Sequence, residues 1–558
     1  MAELDALGIT EFVRIQEERT KPLRDRMEET YKFWRLDYFS FAKKEGKYRT
    51  MVSAKPRVFC DKITSELAFG FLKLSIPLYS EKKKERRLEA MTEQTAYGLI
   101  GMADDRLRSC LLPSMQSSLA EDIPLRGFSV LRPWIYEEEN HGGPETIVDV
   151  AVWDARNVFW DIGSKGLLRV CNRRYASKEE VEDAYPSLGK DKVTQDAHGR
   201  VIVNDYWDKE DEKVVIDNEI VYRMHHGLGY VPVLILPVGS SRMRQSSAYS
   251  DTIRDVGEDF ASRGGRIIWP RLSEAMSYLL TTTALGTHPV EKLYFDGVQN
   301  MPEIQSTQDL LQEGNFIGLD KSKGQDIEPL FQATLPKEAM QFFQVALAEA
   351  TRTDAPDIAF GISSGQETAA GTSMLLHAAA AAMKNGQRAM EQAFVWLATE
   401  LIRQLKDGGF EIESLQGIDG KKQQFSVKPK VDELVTDRRF TAELVLDSPQ
   451  DVLSNIGAAD QLVKSGLASR QTARDKLLGR LFPDPDGEES IIDRETARRM
   501  AGVAEWEALE ELVRDNPDSM AAARMFARIR QEVNQGMDMM AQNEAANVGG
   551  IPKGMPPG

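Results

Sequence analysis

Cysteine is scarce in this chain of 558 residues: there are three, Cys60, Cys110 and Cys171, odd in number and far apart. That excludes a disulfide framework and predicts buried thiols in a reducing compartment. Long apolar runs are missing as well. The longest conspicuous one, 231–238, has eight residues and includes Pro232 and Pro237. A bilayer span takes about 20, so this run reads as a buried strand. The start, MAELDALGITEF, is acidic and lacks the basic and then apolar pattern of a secretory signal. The reading is a soluble chain made in a cytosol, with no membrane partner. Positive charge is also in deficit, since 70 Lys and Arg against 87 Asp and Glu give −17. Broad binding of nucleic acid needs clustered cations, so a general nucleic-acid binder is excluded. A protein that nucleic acid slides past is not.

Catalytic signatures are sparse. Gly361-Ile-Ser363-Ser-Gly365 matches the Gly-x-Ser-x-Gly pattern of a nucleophile elbow, which also needs an acid and a His placed by further strands and helices. Only His377 follows, fourteen residues on, with Glu367 the sole acid between, so a flexible Ser/Gly loop is the better reading. His225-His226 sit at a strand end, where neighbouring side chains point to opposite faces and cannot share one metal without a bend. Asp484-Pro-Asp486-Gly-Glu488 lacks the spacing of a calcium loop and reads as a turn. No phosphate-binding Gly-x-x-x-x-Gly-Lys-Ser/Thr or Gly-x-Gly-x-x-Gly is present. The expectation is a protein without enzymatic activity, cofactor or metal.

What the chain does contain is alternating blocks of helix and strand. Residues 9–123 read as helical, with Phe12, Ile15, Leu23, Met27, Tyr31 and Trp34 on one face and Pro22 separating two helices. The charged run 81–87 reads as the exposed start of a long helix. From Gly127 to Val238 short β-branched and aromatic runs, punctuated by turn residues, predict a mixed sheet. One helix interrupts it, with Ser177 as N-cap and Glu180 completing a capping box. Helical spacing returns over 246–285, where Gly264-Gly265 and Pro270 predict a break or kink. An acidic strand-bearing insert follows, and then a helix opened by Pro336. Met383, Met390, Phe394, Leu397, Leu401 and Leu405 mark the clearest helix, weakened at Gly386 and ended by Gly408-Gly409. Strands over 410–447 and helices from Ser448 onward complete the pattern. The Gly/Pro-rich end, 547–558, reads as disordered. The fold class predicted is α+β, mainly helical.

That order of parts resembles the portal (head-to-tail connector) proteins of tailed bacteriophages over roughly residues 9–480. Tyr31-Lys-Phe-Trp-Arg-Leu-Asp-Tyr-Phe39 looks like the family's opening. Asp122-Ile-Pro-Leu-Arg-Gly-Phe-Ser-Val-Leu131 and Val150-Ala-Val-Trp-Asp-Ala-Arg-Asn-Val-Phe-Trp-Asp161 look like its wing strands. Arg174-Tyr-Ala-Ser-Lys-Glu-Glu-Val-Glu-Asp-Ala-Tyr-Pro186 is similar to its excursion helix. Ser448-Pro-Gln-Asp-Val-Leu453 to Ala468-Ser-Arg-Gln-Thr472 looks like the start of its helical crown. The resemblance implies N-terminal helices and wing sheet in 1–245, a first stem helix in 246–285, a small α/β clip in 286–335 and a second stem helix in 336–357. A tunnel loop, 358–372, a wing helix with returning strands, 373–447, a crown, 448–546, and the tail would follow.

Such a protein forms a homo-oligomeric ring, of twelve subunits in the family, at one vertex of the virion, assembled in the host bacterial cytoplasm. Double-stranded DNA passes through it during packaging and ejection. It docks the terminase large subunit, then a head-tail adaptor, and contacts major capsid and scaffolding proteins. The channel-lining residues would be Ser363, Ser364, Gly365, Gln366, Glu367, Thr368, Gly371 and Thr372, a small, nearly neutral segment between helices; an ordinary surface loop has the same composition. Arg263, Arg266 and Arg271 either face phosphate or balance Asp251, Asp255, Glu258 and Asp259 nearby. Another ring or scaffold protein of a virion, and more remotely a cytosolic enzyme with an unrecognised site, are the alternative readings.

Overall fold

Asp5 opens the first helix by accepting the Gly8 N–H, and a second helix follows almost at once, with Pro22 in its first turn. These are α1 (Ala6–Arg19) and α2 (Lys21–Trp34). The computed structural model describes residues 4–40, 50–77, 83–140, 143–164, 166–186, 194–239, 253–262, 264–287, 291–295, 316–320, 337–353, 369–420, 423–445 and 449–465, together with Arg528. The chain divides into two compact units, 1–447 and 448–558. Within the second, α10 (Pro449–Lys464) is described. The rest of the expected crown, 466–527 and 529–546, and the tail, 547–558, lie outside the described residues.

In the first unit α3 (Lys55–Phe69), α4 (Lys83–Ser109) and α5 (Met115–Arg126) surround α9 (Ala369–Gly408). The apolar stripe of α9 is the centre of the largest core: Met390, Leu397, Leu401 and Leu405 are fully buried. Gly386 does not end this helix. A Cβ there would lie 3.1 Å from Ile123 and 3.3 Å from Leu67, so its bareness lets α9 approach α5 and α3. Pro124 sits inside α5, and the helix stops at Gly127, whose φ of +72° forms the left-handed cap.

The two sheets built from residues 128–237 are antiparallel, not mixed as the sequence suggested. β2 (Phe128–Asn140) pairs with β3 (Gly143–Val152) and β9 (Leu234–Pro237) in the order β3-β2-β9. β4 (Val158–Gly163), β5 (Gly166–Ala176), β6 (Val201–Trp207), β7 (Asp211–Ile216) and β8 (Glu219–His225) form a five-stranded meander. Short turns cause this, because parallel neighbours need a long crossover. Asp217 and Asn218, both at positive φ, supply one such hairpin.

The result is a stack of layers. Phe12 and Ile9 of α1 cover one face of the five-stranded sheet. Trp160, Val170 and Trp207 on its other face meet Phe128 and Val130 of the three-stranded sheet. Leu131, Ile135, Val148 and Val150 then face the helical layer of α4, α5 and α9. The excursion helix is α6 (Lys178–Ala184), and Ser177 accepts the Glu180 N–H at 3.1 Å. The box closes on one side only, since the Glu180 carboxylate takes Arg174 instead.

Three further readings are corrected. Residues 9–123 are not all helix: β1 (Phe71–Ser75) pairs with β14 (Thr441–Val445). As expected for 410–447, β12 (Leu415–Ile418) pairs with β13 (Gln424–Val427). The helix predicted from 246 starts at Gly265; 253–255 form a 3-10 turn, and α7 (Gly265–Thr287) carries Pro270 at its sixth position, inside the helix, where its missing N–H forgoes the bond to the Arg266 carbonyl. Cys110 is exposed, while Cys60 and Cys171 are buried. Of the insert, β10 (Glu291–Phe295) and β11 (Phe316–Asp320) are described, paired in parallel. α8 (Lys337–Thr353) follows. No described helix is long and apolar enough to cross a membrane.

Candidate functional site

The site of interest is the α7–α8 pair and the root from which α7 leaves the body. The root is a fixed loop. Val238 N donates to Gly127 O at 2.8 Å, Glu258 N to Val238 O at 2.9 Å, and Phe260 N to Pro124 O at 2.9 Å. Gly257 has φ +83°, and a Cβ there would stand 2.3 Å from Gly127 O, so only glycine fits.

Asp259, its side chain wholly buried, organises the next layer. It accepts the Ala261 N–H and the Ser262 hydroxyl at 3.0 Å each, and the Thr30 hydroxyl at 3.1 Å. Arg26 of α2 stands 3.3 Å away, and Arg266 of α7 pairs with it directly. Arg26 also donates to the carbonyls of Arg254 (2.7 Å) and Gly257 (2.8 Å). Burial pulls the Arg26 pKa below its usual value, and the Asp259 carboxylate opposes that. Glu29 holds Arg266 at 2.9 Å and Arg254 at 3.1 Å. α2 therefore clamps the start of α7 through a buried, hydrogen-bonded ionic network.

Along α7, Ser273 and Ser277 lie one turn apart and fasten residues 51–53: Ser273 Oγ accepts from Ser53 N (3.0 Å), and Ser277 Oγ from Met51 N (2.8 Å). On a neighbouring face Leu272, Ile268 and Met276 pack on Ala346 and Phe343 of α8. With about 3.6 residues per turn, Phe342 and Val345 fall on one flank of that packed face and Met340 on the other. All three are uncovered, at 53%, 60% and 43% exposure. An apolar arc this wide on a two-helix pair buries only its middle.

A second ionic cluster joins the two sheets. Arg132 of β2 pairs with Asp149 of β3 at 2.7 Å and lies over the Trp207 ring, and Trp207 Nε1 donates to Asp205 at 2.8 Å. Burial, with Asp205 beside it, pushes the Glu212 carboxyl up to about 8. A proton bound more tightly in the fold stabilises fully below the unfolded value of 4.5 and is lost as pH rises through about 8. Glu212→Gln is therefore expected to raise the melting temperature at pH 9 and to leave it nearly unchanged at pH 4.5. Equal shifts at both pH values in thermal melts would contradict this.

Among the residues singled out from sequence, Ser363, Ser364, Gly365, Gln366, Glu367, Thr368 and Arg263 lie outside the described residues. Gly371 and Thr372 belong to the first turn of α9 rather than to a loop, because Ala369 and Ala370 already favour helix. Arg266 and Arg271 do not share one site. Arg266 joins the root network, while Arg271 pairs with Glu274 at 2.9 Å on the surface. His225 Nδ1 donates to the Asp211 carboxylate at 3.0 Å, and His226 contacts Asp208 O, so the two histidines diverge. Among the described residues no three His, Cys, Asp or Glu are grouped to hold a metal ion. The sequence offered Asp259 as a balancing partner, and Arg266 does pair with it, but Arg26 and the flanks of α8 were missed. Only the last left a signal, the apolar residues on more than one face of 339–347. Compared with known protein families and with curated proteins, the chain matches none.

Proposed function

We propose that this chain is the subunit of a portal ring, the channel through which double-stranded DNA enters and leaves a phage capsid. The observation that carries the reading is the two-flanked apolar exposure of α8. A patch used once would give a two-fold dimer, whereas different patches on two flanks bind head to tail and close into a ring. The α7–α8 pair would be the stem, rooted by Arg26, Asp259 and Arg266 in the body, with the insert between its helices as the clip. The layered sheets with α6 and α9 correspond to the wing, and α10 opens the crown. The ring would dock a terminase motor and then a tail adaptor, in the virion and during its assembly.

The channel element is the segment before α9, Ser363 to Thr368. Its hydroxyls and the Gln366 amide can make weak, exchangeable contacts to phosphate, and Glu367 adds mild repulsion. Duplex DNA carries about one negative charge per 1.7 Å, so a basic lining would act as a brake. Changing Ser364 and Gln366 together to Lys is expected to slow or stall DNA packaging at low salt and to restore it partly as salt rises. A ring that assembles normally and packages at the parental rate across that range would remove this segment from the channel.

A further inference from the structure

Away from the stem, the end of α9 and the loop after β8 enclose a recess of about 180 Å³. Trp134, His226 and Phe410 line it with rings, and Leu228, Gln404 and Asp407 complete its wall. The rings are held. Trp134 meets His226 edge-on at 6.0 Å, and His226 stacks on Trp207 at 5.7 Å. Phe410 lies so tightly on Gly408 that no Cβ would fit there.

The polar groups of the wall are mostly spent. Gln404 accepts from Ile135 N (3.1 Å) and donates to Pro133 O (3.2 Å) and Glu400 (2.9 Å). His226 Nδ1 accepts the Leu228 N–H at 3.2 Å, which leaves Nε2 to donate to Asp208 O at 3.1 Å. That tautomer is neutral, and burial lowers the ring's pKa, so histidine adds no positive charge. Asp407 is exposed at the rim and has no ion pair among the described residues. Lys406, the one cation in the last turn of α9, is turned to Leu434 O at 2.7 Å.

Three independent features then favour one kind of guest. Aromatic faces attract cations, Asp407 supplies a carboxylate, and the C-terminal carbonyl end of a 40-residue helix carries partial negative charge. The same pairing is used next door, where Arg403 lies 3.7 Å over the Tyr230 ring. We propose that this recess receives a guanidinium or ammonium side chain, an arginine or lysine presented by a partner protein. The inference is independent of ring formation.

The test titrates the purified chain, at matched ionic strength, with N-acetyl-arginine amide, its neutral citrulline counterpart and a short arginine-centred peptide. Tryptophan fluorescence and calorimetry read the binding. Saturable binding of the arginine compounds only is expected, at least tenfold tighter for the peptide. Asp407→Asn should weaken it at least tenfold without lowering the melting temperature, and Phe410→Leu should weaken it as well. Equal binding of citrulline, or an unchanged affinity in Asp407→Asn, would overturn the cation site. Binding of the amide as tight as the peptide would overturn the assignment to a protein side chain.

Discussion

Phe342→Asp combined with Val345→Asp is expected to yield a folded single chain under conditions where the parent assembles. Both side chains are more than half exposed, and surface changes of that kind alter folding stability by about 0.5 kcal/mol or less. In an assembly each would bury an apolar side chain worth about 1.5–3 kcal/mol. Losing both, and burying two carboxylates instead, removes about 3–6 kcal/mol per interface, a hundredfold to ten-thousandfold in affinity. Met340→Asp breaks the other flank and should have the same outcome in kind. The head-to-tail geometry has a sharper consequence. Mixing the two mutants brings one intact flank of each together, so they should form a heterodimer that cannot grow. Light scattering that shows both mutants still assembled, or a mixture that forms no dimer, would contradict the arrangement.

The largest expected loss of folding stability is at the root. Asp259→Ala leaves Arg26, 4% exposed, and Arg266 without their shared carboxylate and leaves Ala261 N unsatisfied. Removing one partner of a buried ion pair typically costs 3–5 kcal/mol, because the remaining charge stays desolvated. Urea unfolding in the Phe342/Val345 double-Asp background isolates folding from assembly. A midpoint shift worth less than about 1 kcal/mol would mean that solvent reaches the network and that α7 is not clamped there. Asp259→Asn should cost less than Asp259→Ala, since it retains an acceptor for Ala261 N.

The sequence carried the elements whose signals are local. The α9 stripe appears because one buried face repeats every three to four residues, and all six marked positions are buried. Ser177 and Pro22 act within a single turn, so their helix starts were readable. β1 was not, because five residues gain strand character only from β14, more than 360 positions away. The mixed sheet was a misreading of pairing direction, which composition does not encode but hairpin length does. Lys213 is fully buried on β7, its ammonium satisfied by Leu4 O at 3.1 Å, in a position where alternation would place an apolar residue. For the candidate site the same division holds. The apolar arc of α8 was visible in 339–347, whereas the root is assembled from α2, α5 and the loop before α7, whose residues meet only in three dimensions.

A ring built head to tail around a channel would be visible directly in negative-stain electron microscopy of the purified chain. Closed rings of uniform subunit number are expected, with a central hole wide enough for duplex DNA, and they should be lost in the Phe342/Val345 double-Asp protein. Particles no larger than one chain, over a range of salt and at micromolar protein, would contradict the ring.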